Sequence, residues 1–159
     1  MKRILVLSDI HIPARLNKFP NHAIEPYLKA VDIVFGLGDY NSQDGLNILY
    51  GFGKELYAVN GNMDDDQIKF NLPALLNINI EGINIGLIHG WGGHYGIREK
   101  IAKQFDNVKL ICYGHTHSPY FGENGLISFF NPGSICGNNP SFGILTLNNK
   151  KIEAKIIYI

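Results

Sequence analysis

Short apolar runs, each followed by glycine, proline or polar residues, divide the chain and predict many short strands. We predict strands at residues 4–7, 31–35, 55–59, 75–80, 83–88, 108–113, 119–121, 126–130, 142–147 and 152–159. Apolar residues at helical spacing predict helices at residues 21–28, 43–50 and 98–105, although Pro26 leaves the extent of the first one open. Strand and helix alternate in the first part of the chain, whereas the last part is mostly strand.

This order of elements predicts two packed mixed sheets with helices outside them, a four-layer α/β/β/α sandwich rather than one doubly wound sheet. No repeat, low-complexity tract or linker interrupts the pattern, and residues 51–53 read as a turn rather than a domain boundary. We therefore expect residues 1–159 to form a single domain, which is long enough to bury a core.

Composition and charge narrow the range of partners. The chain has 14 Lys plus Arg and 14 Asp plus Glu, so its formal net charge is zero. Because there is no basic excess or polybasic run, we expect no membrane partner, and nucleic acid only in the form of a small nucleotide ester. No apolar run reaches bilayer length, and the run at residues 4–7 is too short for a signal sequence, so we expect a cytoplasmic location.

The two cysteines are expected to be reduced thiols. Cys112 lies inside an apolar run and is predicted to be a core residue. Cys136 lies in a loop-like stretch that follows residues 131–135, and the spacing of the two cysteines fits no cysteine-based zinc motif.

Side chains with metal-binding atoms follow five of the predicted strands. These residues are Asp9 and His11, Asp39, Asn62, His89, and the pair His115 and His117. Each one supplies an oxygen or an imidazole nitrogen. Ligands of α/β proteins gather at the ends of strands, so we expect these side chains to converge in space.

Each of these motifs, taken alone, also has a structural explanation. Asp9 and Asp39 could be turn or capping carboxylates, and Asn60-Gly61 could be a tight turn. His89 could equally be a core histidine that is bonded to the backbone. Only the joint occurrence of the motifs favours a metal site.

The motifs, in their order along the chain, resemble those of the calcineurin-like metallophosphoesterases. The family pattern is Asp-x-His, Gly-Asp, Gly-Asn, a His and Gly-His-x-His, and this chain has Asp9/His11, Gly38-Asp39, Gly61-Asn62, His89 and Gly114-His115-Thr116-His117. All five blocks are present across nearly the whole chain. The small size and residues 131–134 (Asn-Pro-Gly-Ser) are similar to those of the compact prokaryotic phosphodiesterases.

A second likeness joins residues 9–15 with Asn17 and Pro20, residues 85–90 and residues 140–142 to the small phosphoesterase-fold subunit of the retromer coat. That subunit is mainly a scaffold and departs from the enzyme pattern at the Gly-Asp and Gly-Asn blocks. This chain keeps Asp39 and Asn62. The resemblance therefore implies an enzyme first, and a metal-binding interaction scaffold with little or no turnover as the alternative.

What the enzyme resemblance implies is a dinuclear-metal-dependent phosphodiesterase. A metal-bridging hydroxide would attack a small phosphoester. One ion would be held by Asp9, His11 and His117, the other by Asn62, His89 and His115, with Asp39 bridging both. The resemblance thus implies two divalent ions. Because the set has oxygen and imidazole ligands and no thiolate, it suits Mn, Ni, Fe, Co or Zn better than Mg alone, with manganese favoured.

One departure from the family concerns proton transfer. Many members have a histidine directly after the Gly-Asn block that helps to protonate the leaving group, whereas this chain has Met63. Activity would then be restricted to esters with good leaving groups, or His94 or a metal-bound water would substitute. Asp64 is expected to orient the region of Asn62. We therefore assign Asp39, Asn62, Asp64 and His94 to catalysis, and leave homo-oligomer formation open.

Overall fold

Ten strands and four helices make up the computed structural model, which describes all residues, 1–159. The strands are β1 (Lys2–Leu7), β2 (Ile33–Gly36), β3 (Glu55–Ala58), β4 (Leu75–Ile80), β5 (Ile83–Ile88), β6 (Leu110–Tyr113), β7 (Tyr120–Asn124), β8 (Ile127–Asn131), β9 (Ser141–Asn148) and β10 (Lys151–Tyr158). The helices are α1 (Asn21–Leu28), α2 (Gln43–Gly51), α3 (Asp66–Asn71) and α4 (Ile97–Ala102). None of these helices is long and apolar enough to cross a bilayer.

The strands form two mixed sheets of five strands each. The first has the order β10-β9-β1-β2-β3, in which β1, β2 and β3 are parallel, β9 is antiparallel to β1, and β10 is antiparallel to β9. The second has the order β4-β5-β6-β8-β7, in which β5, β6 and β8 are parallel and the two edge strands are antiparallel. Each sheet therefore has three parallel strands whose carboxyl ends lie at one edge.

Alternating side chains place the main core between the two sheets, because successive residues of a strand face opposite sides. In β1, Ile4 and Val6 pack in the core between the sheets, whereas Leu5 and Leu7 pack on the outer face. The second sheet supplies the other side of this core, including Cys112, which confirms its predicted core position. Each such buried aliphatic side chain contributes roughly 1.5–3 kcal/mol of transfer free energy.

Helices cover the outer face of each sheet. Helices α1 and α2 bury Ile24, Leu46 and Leu49 against the first sheet. Helix α4 buries Ile97 and Ile101 against the second sheet. The resulting order of layers is helix, sheet, sheet and helix, which confirms the four-layer sandwich expected from the sequence.

Three details differ from the elements predicted from the sequence. Helix α3 was not predicted, because six residues are too few for a periodic signal; it depends on its N-cap, the side chain of Asp65, which accepts a hydrogen bond from Ile68 N. Helix α4 stops at Ala102 and not at residue 105, since the chain continues in tighter turns. Strand β7 continues through Asn124, beyond the predicted end at residue 121, because it pairs with β8 up to Ile127.

The core between the sheets can be tested with two phenylalanines. Phe130 is fully buried in β8, whereas Phe70 in α3 is 91% exposed. We expect Phe130→Ala to lower the free energy of unfolding by about 3–5 kcal/mol through lost transfer energy and a cavity. Phe70→Ala should change it by no more than about 0.5 kcal/mol. Urea unfolding of both variants measures the difference, and equal effects would contradict the assigned core.

Candidate metal centre

Seven side chains predicted as ligands lie together where the carboxyl ends of the parallel strands of both sheets meet. They follow β1 (Asp9, His11), β2 (Asp39), β3 (Asn62), β5 (His89) and β6 (His115, His117). The two sheets thus bring to one edge residues that are up to 108 positions apart in the sequence, as expected for ligands at strand ends.

A first group of three residues faces a common point. His117 Nε2 is 3.1 Å from Asp9 Oδ1 and 3.3 Å from His11 Nε2. His11 Nε2 is 3.7 Å from Asp9 Oδ1. Two imidazole nitrogens and a carboxylate oxygen therefore lie at separations that allow all three atoms to bind one ion.

A second group of residues is joined to the first by Asp39. His89 Nε2 is 3.2 Å from Asp39 Oδ2, and the same oxygen is 3.7 Å from His11 Nε2. His115 Nδ1 is 3.0 Å from Asn62 Oδ1. Oδ2 of Asp39 thus lies between the two groups, where one carboxylate can serve both.

Hydrogen bonds on the far side of the rings set which nitrogen faces the centre. His89 Nδ1 must donate to Leu37 O, at 2.6 Å, because a carbonyl only accepts. Asn41 Nδ2 donates to Met63 O, so its Oδ1 is the atom that accepts from His11 Nδ1 at 2.9 Å. In the neutral rings, both Nε2 atoms then direct a lone pair into the centre, as in histidines that bind metals.

Two buried atoms in the centre have no hydrogen-bond partner, namely Asp9 Oδ1 and His89 Nε2. They lie 4.0 Å apart, on residues that are 0% and 2% exposed. An unpaired buried polar atom costs about 1–3 kcal/mol, so proteins rarely retain one without a ligand. A cation would partner both atoms, and the residues of this site therefore fit a divalent-metal centre.

The charges in the site also favour a cation. Burial raises the pKa of Asp9, but the close imidazoles of His11 and His117 and the charge of His89 outweigh it, so the pKa lies below its ordinary value. Burial likewise raises the pKa of Asp39, and its close contact and charge interaction with His89 reverse the shift. Burial lowers the pKa of His89, but the two carboxylates raise it above its usual value. Both carboxylates are therefore kept ionised.

Backbone strain is concentrated at the same strand ends. Ten residues other than glycine have positive φ, and half of them are predicted ligands: Asp9, His11, Asp39, His115 and His117. A left-handed conformation costs such residues roughly 1–2 kcal/mol each. Strain of this kind accumulates at functional sites, where it directs side chains that regular strands would direct elsewhere.

Asp64, which was predicted to act in catalysis, lies behind the centre as a buried acceptor for backbone groups. Its Oδ2 accepts from Gly61 N at 2.7 Å and from Asp39 N at 3.2 Å, and its Oδ1 accepts from Asn41 N at 2.8 Å. Burial raises the pKa of Asp64 and outweighs these N–H bonds. A side chain on Gly61 would overlap the Asp39 carboxylate, so this close approach of the two loops requires glycine.

His94 and Met63 lie differently with respect to the centre. Met63 directs its backbone N–H to Asp39 Oδ1, at 2.7 Å, while its side chain is half exposed. His94 is exposed, and its imidazole makes no hydrogen bond within the chain. It lines a small cavity with Arg98 and Thr116, outside the seven converging residues.

Cys136 was missed as a neighbour of the site. Its buried Sγ lies within 4.8 Å of the ligand nitrogens of His11 and His117. Cysteine-based metal motifs do not reveal Cys136, because its neighbours are two histidines, both more than 18 residues away in the sequence. The signal that could have found it is the strand-end rule, because Cys136 follows β8, which is parallel to β6.

Comparison with known proteins identifies the family. Residues 1–150 match the model of the calcineurin-like phosphoesterase superfamily domain. A probable metallophosphoesterase of Methanothermobacter thermautotrophicus is 30% identical to this chain, over 96% of the chain and 90% of the relative.

Two further similarities concern activity and fold. The phosphodiesterase YfcE of Escherichia coli is 32% identical over 64% of this chain and 62% of its own. Vps29 of Entamoeba histolytica, solved in complex with Zn²⁺, has the same fold, with a TM-score of 0.78 at 24% identity over 98% of both chains. With the family model covering nearly the whole chain, this protein belongs to the calcineurin-like phosphoesterase superfamily.

Proposed function

We propose that this protein is a phosphodiesterase that uses two divalent metal ions to hydrolyse a small phosphoester. The observation that carries the proposal is the pair of buried unpartnered atoms, Asp9 Oδ1 and His89 Nε2, in the middle of seven converging ligands. The similarity to a bacterial phosphodiesterase supports the reaction class. Residues 1–159 would act as a single domain.

The proposed ligands divide into two sets. Asp9, His11 and His117 would hold one ion, and Asn62, His89 and His115 would hold the other; the short His117–Asp9 and His115–Asn62 distances support this division. Asp39, whose Oδ2 lies near both His11 and His89, would serve both ions. The bound ions supply Lewis acidity, which neutralises phosphoryl oxygens and lowers the pKa of water.

Beside the centre lies a groove that suits one organic group of the ester. It has a volume of about 340 Å³ and adjoins both Asn62 and His89. Leu75 and Trp91 give it apolar walls, and Lys69 places a positive charge at its rim, where Nζ donates to Asn62 O at 3.0 Å. The dimensions match those of sites for small ligands.

The site lacks the proton donor that many family members have after the Gly-Asn block, because the thioether of Met63 carries no proton. Esters with good leaving groups leave as stable anions and do not need an acid. His94, exposed on its glycine-rich loop, is the chain's own candidate for proton donation to poorer leaving groups. Manganese as the favoured metal, a cytoplasmic location and homo-oligomer formation stay predictions.

The first test removes charge from the shared carboxylate. Asp39→Asn should reduce turnover of bis-p-nitrophenyl phosphate by at least about a hundredfold, since losing even an outer partner of a ligand costs about 10–100-fold. The control is Asp106→Asn, the same change at an exposed aspartate, which should retain wild-type rates. Initial rates with Mn, Ni, Co and Zn, and with p-nitrophenyl phosphate for comparison, measure both.

The same assay distinguishes the proposed enzyme from the alternative, an interaction scaffold with little or no turnover. Turnover that requires both metal and Asp39 supports the enzyme. Bound metal without turnover on a broad panel of esters would contradict it and favour the interaction scaffold.

The second test concerns the support of the ligands by Asp64. In Asp64→Asn an NH₂ group replaces one acceptor oxygen, so at least one backbone N–H of Asp39, Gly61 or Asn41 loses its partner. We expect metal affinity to fall by about 10–100-fold and the free energy of unfolding to fall by about 1–3 kcal/mol.

The matched control for this test is the adjacent Asp65→Asn. Asp65 caps α3, and asparagine caps helices equally well. Calorimetric metal titration and urea unfolding provide the two measurements. If Asp64→Asn behaved like Asp65→Asn in both, the positioning role of Asp64 would be wrong.

The third test concerns His94 as a proton donor. His94→Ala should slow hydrolysis of an alkyl or nucleotide diester, which has a poor leaving group, by about 10²-fold or more. Hydrolysis of bis-p-nitrophenyl phosphate should stay unchanged, because its leaving group needs no proton. His22→Ala, at an exposed histidine on α1, is the control. Unchanged rates of His94→Ala on both esters would remove His94 from the mechanism.

A further inference from the structure

Cys136 is held against the centre by the loop that follows β8. The loop is fixed to the end of β1, because Ile135 N donates to Ser8 O at 3.3 Å and Ser134 Oγ donates to Asp9 O at 2.9 Å. These bonds anchor the residues next to Cys136 on the segment that carries Asp9. The thiol is 5% exposed and is therefore held in a defined position.

The thiol belongs to a cluster of metal-binding atoms. Cys136 Sγ and the ligand nitrogens of His11 and His117 all lie within 4.8 Å of one another. Zn–N distances near 2.0–2.1 Å and Zn–S distances near 2.3 Å place ligand atoms of one tetrahedral ion roughly 3–4 Å apart. The separations in the cluster therefore exceed the spacing that one shared ion requires by no more than about 1–2 Å.

A second, independent observation points to a ligand at the same place. Asp9 is fully buried, and its Oδ1 has no hydrogen-bond partner. This oxygen lies 3.1 Å from His117 Nε2 and 3.7 Å from His11 Nε2. An unpaired buried carboxylate oxygen thus faces the same two imidazoles that lie beside the thiol.

The contacts between Cys136 and Ser134 leave Sγ free to bind a metal ion. Ser134 Oγ accepts from Cys136 N at 3.1 Å and lies 3.2 Å from Sγ. Since the single hydroxyl proton of Ser134 goes to Asp9 O, the thiol proton is directed at Ser134 Oγ. Binding of an ion breaks the S–H bond as the sulfur–metal bond forms, and the proton passes to the solvent without any change of oxidation state.

We infer that Cys136 is a fourth protein ligand, as a thiolate, of the ion held by Asp9, His11 and His117. This inference rests on the proposed metal centre and adds a preference for particular metal ions at this position. Thiolate is a soft ligand that selects Zn²⁺ or Co²⁺ over Mn²⁺. The other position, with Asn62, His89 and His115, has only oxygen and imidazole ligands. The two positions therefore prefer different ions, in place of manganese at both.

Binding of Co²⁺ tests directly whether Cys136 is a metal ligand, and it does not depend on catalytic activity. The metal-free full chain is titrated with Co²⁺, and the absorption spectrum is recorded for wild type, Cys136→Ser and Cys112→Ala. Visible d–d bands report any bound Co²⁺, whereas a near-ultraviolet charge-transfer band reports a thiolate bound to it. Cys112→Ala is the matched control, because that thiol lies fully buried in the core between the sheets.

We expect the charge-transfer band in wild type and Cys112→Ala, and its loss in Cys136→Ser with the d–d bands retained. Competition titration should then show Zn²⁺ affinity reduced by at least about tenfold in Cys136→Ser, with little change for Mn²⁺. Visible d–d bands without a charge-transfer band in wild type would overturn the inference and leave the metal centre intact. No spectral response to Co²⁺ at all would overturn the inference and the proposed metal centre together.

Discussion

Two buried atoms without a partner in the chain, Asp9 Oδ1 and His89 Nε2, are the constraint on which the rest of the structure depends. One belongs to the first sheet and the other to the second, and they lie 4.0 Å apart. A protein that folded only to bury apolar surface would not keep such a pair, because each unpaired atom opposes folding. Their presence is explained if a cation completes the site.

The four-layer fold is what brings these atoms together. Packing between the sheets fixes the distance from the ends of β1 and β2 to the ends of β5 and β6. Local devices then refine the geometry: positive φ at five of the ligands, and the Asp64 carboxylate, which joins the loops after β2 and β3. Rigid neighbours of this kind keep ligands positioned before an ion binds, which reduces the cost of binding.

Much of this site could be predicted from the sequence, because its ligands follow strands that apolar runs reveal. The rule that ligands gather at the ends of parallel strands placed Asp9 and His117 near each other although 108 positions separate them. The same rule draws attention to Cys136, which follows β8, but its contact with the site also depends on the path of an irregular loop. Asp64 was predicted to orient the region of Asn62, but its bonds to the backbone N–H groups of Asp39 and Asn41 were not foreseen, because such bonds leave no pattern in side-chain spacing. Helix α3 was not predicted, because its six residues are too few to show a helical pattern of apolar positions.

The family of this protein and its specificity depend on different parts of the sequence. Family membership rests on motifs that span nearly the whole chain. In the proposed account, the choice of metal depends on one loop thiol and the choice of ester on one groove, and neither follows from the motifs. The account thus assigns general chemistry to the strand ends and specificity to the loops beside them.

A crystal structure of the chain soaked with Mn²⁺ or Zn²⁺, with anomalous scattering recorded at the absorption edge, tests the central claim most directly. The account predicts two anomalous peaks about 3.5–4 Å apart. One should contact Asp9, His11 and His117, and the other Asn62, His89 and His115, with Asp39 between them. Absence of density beside Asp9 Oδ1 and His89 Nε2 at saturating metal would contradict it.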